Sequence, residues 1–103
     1  MRVVDMSSVA ITTLLEARAI ANEWLITHLP DRFAAGVPGY DQKLPGWRIP
    51  VWLSYPGLEP LGPVGQLILD EDGTVNADTA LGEMKKRALK LYEQNRERIE
   101  AGL

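Results

Sequence analysis

The chain is 103 residues long, which predicts a single domain (1–103) with one hydrophobic core, and its 46% hydrophobic content is enough to fill that core. The net charge of −3 gives no electrostatic reason to expect nucleic-acid binding. The lack of cysteine excludes disulfides, zinc–thiolate sites and cysteine nucleophiles, and it fits a reducing compartment.

The first clear pattern is that of a helix from Thr13 to Leu29. Thr13 and Glu16 have the spacing of a capping box, and Pro30 ends the helix because the residue before a proline avoids helical geometry. Apolar and aromatic residues recur at three- and four-residue steps and predict one buried stripe, formed by Leu14, Ala17, Ala21, Trp24, Leu25 and His28.

Residues 1–12 precede this helix and are compatible with an extra strand or with an unpaired tail. Arg2 and the apolar residues that follow it loosely mimic a signal peptide, but Asp5 and Glu16 interrupt the charge layout that such a peptide requires. No stretch reaches the roughly 18 uninterrupted apolar residues of a membrane span. We therefore predict a cytoplasmic protein with no membrane partner.

All seven prolines lie between positions 30 and 63, so the middle of the chain is expected to be stiff and irregular. Residues 30–46 predict a long loop rich in proline and glycine, which is either functional or packed by its own side chains. Residues 56–63, with three prolines and two glycines, predict a second stiff connection.

Three strands are predicted around that second connection. Apolar residues alternate from Arg48 to Tyr55, and because Pro50 lacks a ladder donor, this strand is expected to lie at a sheet edge or to begin near there. A second strand covers Val64 to Asp70. A tight turn closed by Gly73 then leads to a short third strand, Thr74 to Ala77.

A second helix is predicted from Thr79 to Ala101, with Asp78 or Thr79 as its N-cap. The element order is therefore α-β-β-β-α, in an α+β fold. Two helices should pack on one face of a small antiparallel three-stranded sheet, because the apolar faces of helices and strands have no other place to be buried.

The other face of that sheet is expected to be open or covered by something else. Alternation places Trp52 opposite the predicted core side of its strand, so the loop 30–46 or another chain must cover it. Because tryptophan and arginine are enriched at interface hot spots, we predict a partner-binding patch formed by Trp47, Arg48, Trp52 and Leu58.

The candidates for chemistry are few. His28 is the only histidine; it is expected to act as a helix cap, and the alternative is an acid–base pair with Asp31. The run Asp70 to Gly73 fails the EF-hand pattern, because the pattern would place Ile68 and Thr79 at ligand positions. The sequence predicts no catalytic residue, metal site or cofactor.

One stretch carries a family resemblance. Val64-Gly65-Gln66-Leu67-Ile68-Leu69-Asp70 followed by Asp72-Gly73-Thr74-Val75 resembles the strand, turn and strand of PepSY-like domains and of the cystatin-like small folds around them. PepSY units are typically extracytoplasmic, whereas this chain shows no export signal. The element order is also similar to that of small bacterial immunity proteins and antitoxin-type proteins. None of these resemblances implies a catalytic residue.

Three functions follow in order of preference. The first is a non-enzymatic protein-interaction module, an inhibitor- or antitoxin-like partner of another bacterial protein. The second is a homodimer with a structural role, which covers the open sheet face with a second copy. The third is a small enzyme that uses His28 with Asp31 or Tyr40.

Overall fold

The computed structural model describes residues 13–43 and 45–102, so the predicted tail or strand at 1–12 lies outside the described residues. The fold is α+β, as predicted. It contains three helices and five strands in the described part, rather than two and three. In chain order these are α1 (Leu14–His28), β1 (Phe33–Ala35), β2 (Gly39–Asp41), β3 (Gly46–Leu53), β4 (Gly62–Asp70), β5 (Val75–Ala77), α2 (Leu81–Gln94) and α3 (Arg96–Gly102).

The sheet is antiparallel throughout and is organised around β3. Strand β4 lies on one side of β3 and carries β5 on its far edge. On its other side, β3 pairs with β1 through Val51–Leu53 and with β2 through Gly46–Arg48. The prediction of a loop at 30–46 was therefore wrong in part: six of its residues form the short strands β1 and β2, which together make an edge strand interrupted at 36–38. Two three-residue strands are too short to show a period-2 pattern.

The predicted edge position of Pro50 was also wrong, because β3 has partners on both sides. The N and C=O of one residue in an antiparallel strand point toward the same neighbour, and the Pro50 carbonyl accepts the Gly36 N–H at 2.8 Å. The Pro50 nitrogen, which carries no hydrogen, therefore also points toward the edge strand, at the place where that strand is interrupted. A proline is tolerated in this central strand because its nitrogen lies where the ladder of hydrogen bonds is already interrupted.

The core lies between one face of the sheet and helices α1 and α2. Helix α1 contributes Ala17, Ala21 and Leu25, and α2 contributes Met84 and Ala88. The buried strand residues are Ala35, Ile49, Val51, Leu53, Val64, Leu67 and Leu69. The two ends of the predicted α1 stripe, Leu14 and His28, are exposed instead.

Capping at the two helix starts differs. Thr13 and Glu16 form the predicted capping box of α1, with the Glu16 N–H donating to Thr13 Oγ1 at 3.0 Å. At α2 the N-cap is Ala80, without a side-chain cap bond. Thr79 Oγ1 accepts the Gln66 backbone N–H instead, at 3.1 Å. The predicted N-cap was wrong because Thr79 ties the helix to β4.

The predicted second helix is divided in two at Asn95. The Asn95 side-chain amide donates to the Leu91 carbonyl at 2.8 Å, and its backbone N–H is shared between the carbonyls of Leu91 and Tyr92. The chain leaves helical geometry at this residue, with φ −118° and ψ 17°, and α3 begins at Arg96. Asparagine favours such breaks because its side chain competes with the backbone for hydrogen bonds.

A β-bulge shapes the sheet beside the long connection. Val51 pairs with Gly65 and Trp52 with Pro63, so Val64 is the additional residue in β4. Val64 is buried, and Gly65 faces α2 at a point where a Cβ would lie 2.7 Å from Met84 Cγ. The bulge and the glycine together let α2 lie close to β4.

Candidate functional site

The face of the sheet opposite the core is where the predicted patch was expected. Ile49, Val51 and Leu53 are buried in the core, and the intervening Pro50 and Trp52 point the other way, as alternation predicts. The helix residues of the core cluster all lie on the Ile49 side. We call the Trp52 side the outer face.

One half of the outer face carries two internal polar pairs. Arg48 Nε donates to Asp41 Oδ2 at 2.9 Å, and the Gln66 amide donates to Asp78 Oδ2 at 3.1 Å. The pKa of Asp41 is lowered, first by the hydrogen bond from Arg48 and then by the one from the Lys43 backbone N–H. The carboxylates of Asp41 and Asp78 are therefore already engaged by donors on the same face.

The other half of the outer face contains an open cleft of about 610 Å³, which we call the Trp52 cleft. Its floor is the half-buried Trp52 side chain. The surrounding surface is mostly apolar, with Ser54 as its neutral polar member. The apolar residues that line it are Ala34, Ala35, Gly36, Val37, Pro50, Trp52 and Pro60.

Gly36 determines where the Trp52 indole lies. A Cβ at position 36 would be 2.4 Å from Trp52 Nε1 and 2.7 Å from Trp52 Cδ1. Any side chain there would collide with the ring, so the indole lies across the edge strand only because residue 36 is glycine. The segment 30–46 thus covers part of Trp52 and leaves the rest of the ring facing the cleft.

Two opposite charges border the apolar floor. Arg18, on α1, lies beyond the edge strand, where its Nε donates to the Ala35 carbonyl at 3.1 Å. Glu59 and Pro60 belong to the connection that returns along β3 to β4, held by the Leu61 N–H bonded to the Leu53 carbonyl at 2.9 Å. The cation and the anion therefore lie on opposite sides of Trp52.

The free edge of β1 is closed by side chains of α1. The Ala35 N–H donates to Asn22 Oδ1 at 2.8 Å, and the Ala35 carbonyl accepts from Arg18. These are the backbone groups that another strand would use to extend the sheet at this position. A partner that reaches this end of the sheet must therefore bind the outer face rather than add a strand beside Ala35.

The structure does not bring the four predicted patch residues together. Trp52 lines the cleft, and Arg48 shares its face but is held by Asp41. Trp47 lies on the core side, in edge-on contact with Tyr40 at 5.3 Å between ring centroids, and its indole N–H is buried without a hydrogen-bond partner among the described residues. Leu58 lies in the connection beside Gly102.

Four residues of this site were not predicted from the sequence: Arg18, Gly36, Glu59 and Pro60. Arg18 lies next to the buried Ala17 on α1, and Gly36 lies in a segment assigned to a loop. The one available signal was the glycine beside the apolar Ala34-Ala35 pair. Glycine within a strand often marks a close approach by another group.

His28 lies outside the Trp52 cleft. Its ring stacks on Trp24 with 4.0 Å between centroids, and its Nδ1 donates to the Trp24 carbonyl at 2.8 Å. Asp31 is paired with Arg32 at 3.9 Å, and the Tyr40 hydroxyl lies 3.5 Å from Glu71 Oε2. No hydrogen bond within the described ranges joins His28 to Asp31 or Tyr40, the residues proposed as its catalytic partners.

The acidic turn has the geometry predicted for a hairpin. Gly73 has φ +90°, and the Asp70 N–H donates to the Thr74 carbonyl at 2.9 Å. Asp72 accepts the Thr74 backbone N–H, which lowers the pKa of its carboxyl group. Within residues 13–43 and 45–102, no group of three or more side chains is arranged to hold a metal ion.

No protein-family model, curated protein or solved structure matches this chain. The PepSY-like, cystatin-like and antitoxin-like resemblances therefore stay predictions. None of the helices in the described part of the chain combines the length and apolarity needed to cross a membrane.

Proposed function

We propose that this chain is a non-enzymatic protein-interaction module and that the Trp52 cleft is its contact surface. The observation that carries the proposal is the Trp52 ring itself, which is seated across Gly36 and left open toward solvent. A large aromatic ring held in one orientation offers binding area at little cost in conformational entropy, which is why such rings dominate interface energetics.

The groups around the ring support the same role. The Arg18 guanidinium is oriented by its bond to the Ala35 carbonyl, which leaves its two Nη groups for a partner. Val37, at the rim, is 64% exposed although it is apolar. An apolar floor with a few oriented polar groups is the usual composition of a binding site.

The inhibitor- or antitoxin-like role expected from the sequence is one form of this proposal, since such a protein acts by covering a surface of another protein. The cysteine-free sequence supports placing that role in a reducing compartment such as the cytoplasm.

Photo-crosslinking from the rim tests the proposal. A benzophenone-bearing amino acid installed at position 37 should form a discrete polypeptide adduct in cells, and Trp52→Ala should abolish it. The same amino acid installed at position 89, an exposed apolar site on α2, serves as the control. The proposal fails if position 37 gives no adduct, or gives the same adducts with and without the Trp52 ring.

A further inference from the structure

The Trp52 cleft carries one positive and one negative side chain on opposite sides of an apolar floor. Arg18 and Glu59 make no ion pair with any of the described residues, whereas Arg48, Arg87 and Arg96 each have a carboxylate partner within 3.4 Å. A surface with this arrangement is complementary to itself under a two-fold rotation, because each charge then faces its opposite.

We propose that a second copy of this chain covers the Trp52 cleft, in a two-fold dimer in which Arg18 of each copy pairs with Glu59 of the other. This inference rests on the proposed function and names the occupant of that surface. The two-fold axis lies in the plane of the interface, over Trp52, so the two indoles face each other across its centre. Arg18 and Glu59 of each copy are then both paired, at the rim of the interface.

The sheet geometry fits this arrangement. Arg18 lies beyond β1, Trp52 is on β3, and Glu59 is on the side of β4. Neighbouring strands are about 4.8 Å apart, so β1 and β4 are about 10 Å apart, and Arg18, which lies beyond β1, is more than about 10 Å from Glu59 across the floor. The reach of arginine and glutamate side chains allows both pairs to form where the rims of the two clefts meet.

Face-to-face association is also favoured over edge pairing. The bonds from Arg18 and Asn22 to Ala35 close the β1 edge, and β5, at the other end of the sheet, has only three residues. A second copy that joined through these edges would gain few ladder bonds. The outer face offers an exposed Val37 and a half-buried Trp52 instead.

The cleft is small for a protein–protein interface. Ten residues line it, whereas a standard interface uses about 20–30 residues on each side. We therefore expect a small interface, and the dimer should be sought over a concentration series that extends from the order of micromolar to the order of millimolar.

Charge-reversal variants test the pairing. In sedimentation velocity experiments, the wild type should shift from monomer to dimer with concentration, whereas Arg18→Glu and Glu59→Arg should each stay monomeric at the same concentrations. An equimolar mixture of the two variants should dimerise again. In the heterodimer the introduced glutamate at position 18 faces the introduced arginine at position 59, and the native Glu59 of the first variant faces the native Arg18 of the second. Both pairs therefore again join opposite charges. Lys86→Glu and Glu93→Arg, two exposed charge reversals on α2, should behave like the wild type.

A wild type that is monomeric throughout the series overturns the inference, and so does a mixture that stays monomeric. Glu59 makes no hydrogen bond within the described chain, so Glu59→Arg keeps the test interpretable if Arg18→Glu fails to fold. Glu59→Arg that dimerises like the wild type also contradicts the proposed pairing. If the wild type is monomeric but position 37 still crosslinks to a different protein in a Trp52-dependent way, the inference fails and the proposed function stands.

Discussion

Replacing Gly36 with alanine should destabilise the protein by displacing the Trp52 ring. The added Cβ would be 2.4 Å from Trp52 Nε1 and 2.9 Å from Pro50 Cγ. Ordinary carbon contacts are about 3.5–4.0 Å, so the rigid indole must move by about 1 Å or more. Overpacking of this kind costs about 1–3 kcal/mol. Glycine-to-alanine replacement also removes unfolded-state entropy, which offsets about 0.4–1 kcal/mol of that cost.

Gly39→Ala is the matched control, because it lies on the same broken edge strand and a Cβ there meets nothing within 4 Å. Its only expected effect is the entropic gain, so the free energies of unfolding of the two variants should differ by the overpacking cost of about 1–3 kcal/mol. For a domain of this size each kcal/mol corresponds to about 4–8 °C in Tm. Urea unfolding followed by far-UV circular dichroism measures the difference without relying on tryptophan fluorescence.

A double-mutant cycle with Trp52→Ala identifies the cause of the loss. With the indole removed, the alanine at position 36 has room, so the Gly36→Ala penalty should shrink by at least half. The reasoning is refuted if Gly36→Ala is as stable as Gly39→Ala. It is equally refuted if the penalty at position 36 is unchanged when Trp52 is absent, since the ring would then lie elsewhere.

Three smaller predictions concern groups whose bonds are visible in the structure. Asn22→Ala leaves a backbone N–H of β1 without its acceptor and should lower the free energy of unfolding by about 1–3 kcal/mol, whereas Asn76→Ala, on an exposed surface, should change it by about 0.5 kcal/mol or less. Equal losses in urea unfolding would contradict the capping of the β1 edge. Thr13→Ala should cost about 1 kcal/mol through loss of the α1 N-cap, measured against Thr27→Ala, which caps no helix start. The carboxyl of Asp41 should titrate below 3.8 by NMR, because its hydrogen bonds favour the ionised form. Its contribution to stability should therefore be present above that pH and fall as the pH drops below it, and a midpoint at or above 3.8 would exclude the ion pair.

The parts of the fold that are local in sequence could be predicted from the sequence. Thr13 and Glu16 are three residues apart, and the turn that ends at Gly73 joins residues only four apart, so their bonds depend on few other parts of the chain. The orientation of Trp52 followed from alternation with Ile49, Val51 and Leu53, because one face of a strand must be buried. For this chain the sequence by itself determined the first helix, the central hairpin and the side of the sheet on which that indole lies.

The site around the indole was decided by contacts between distant segments. Arg18 reaches Ala35 across 17 positions, and Glu59 comes to the opposite side through the stiff connection. Strands β1 and β2 form because β3 supplies hydrogen-bonding partners for them. Three residues are too few to show the alternating pattern by which a strand is predicted from sequence. Pairing of this kind depends on the whole chain, since each short strand gains stability only from the neighbour that the tertiary structure places beside it.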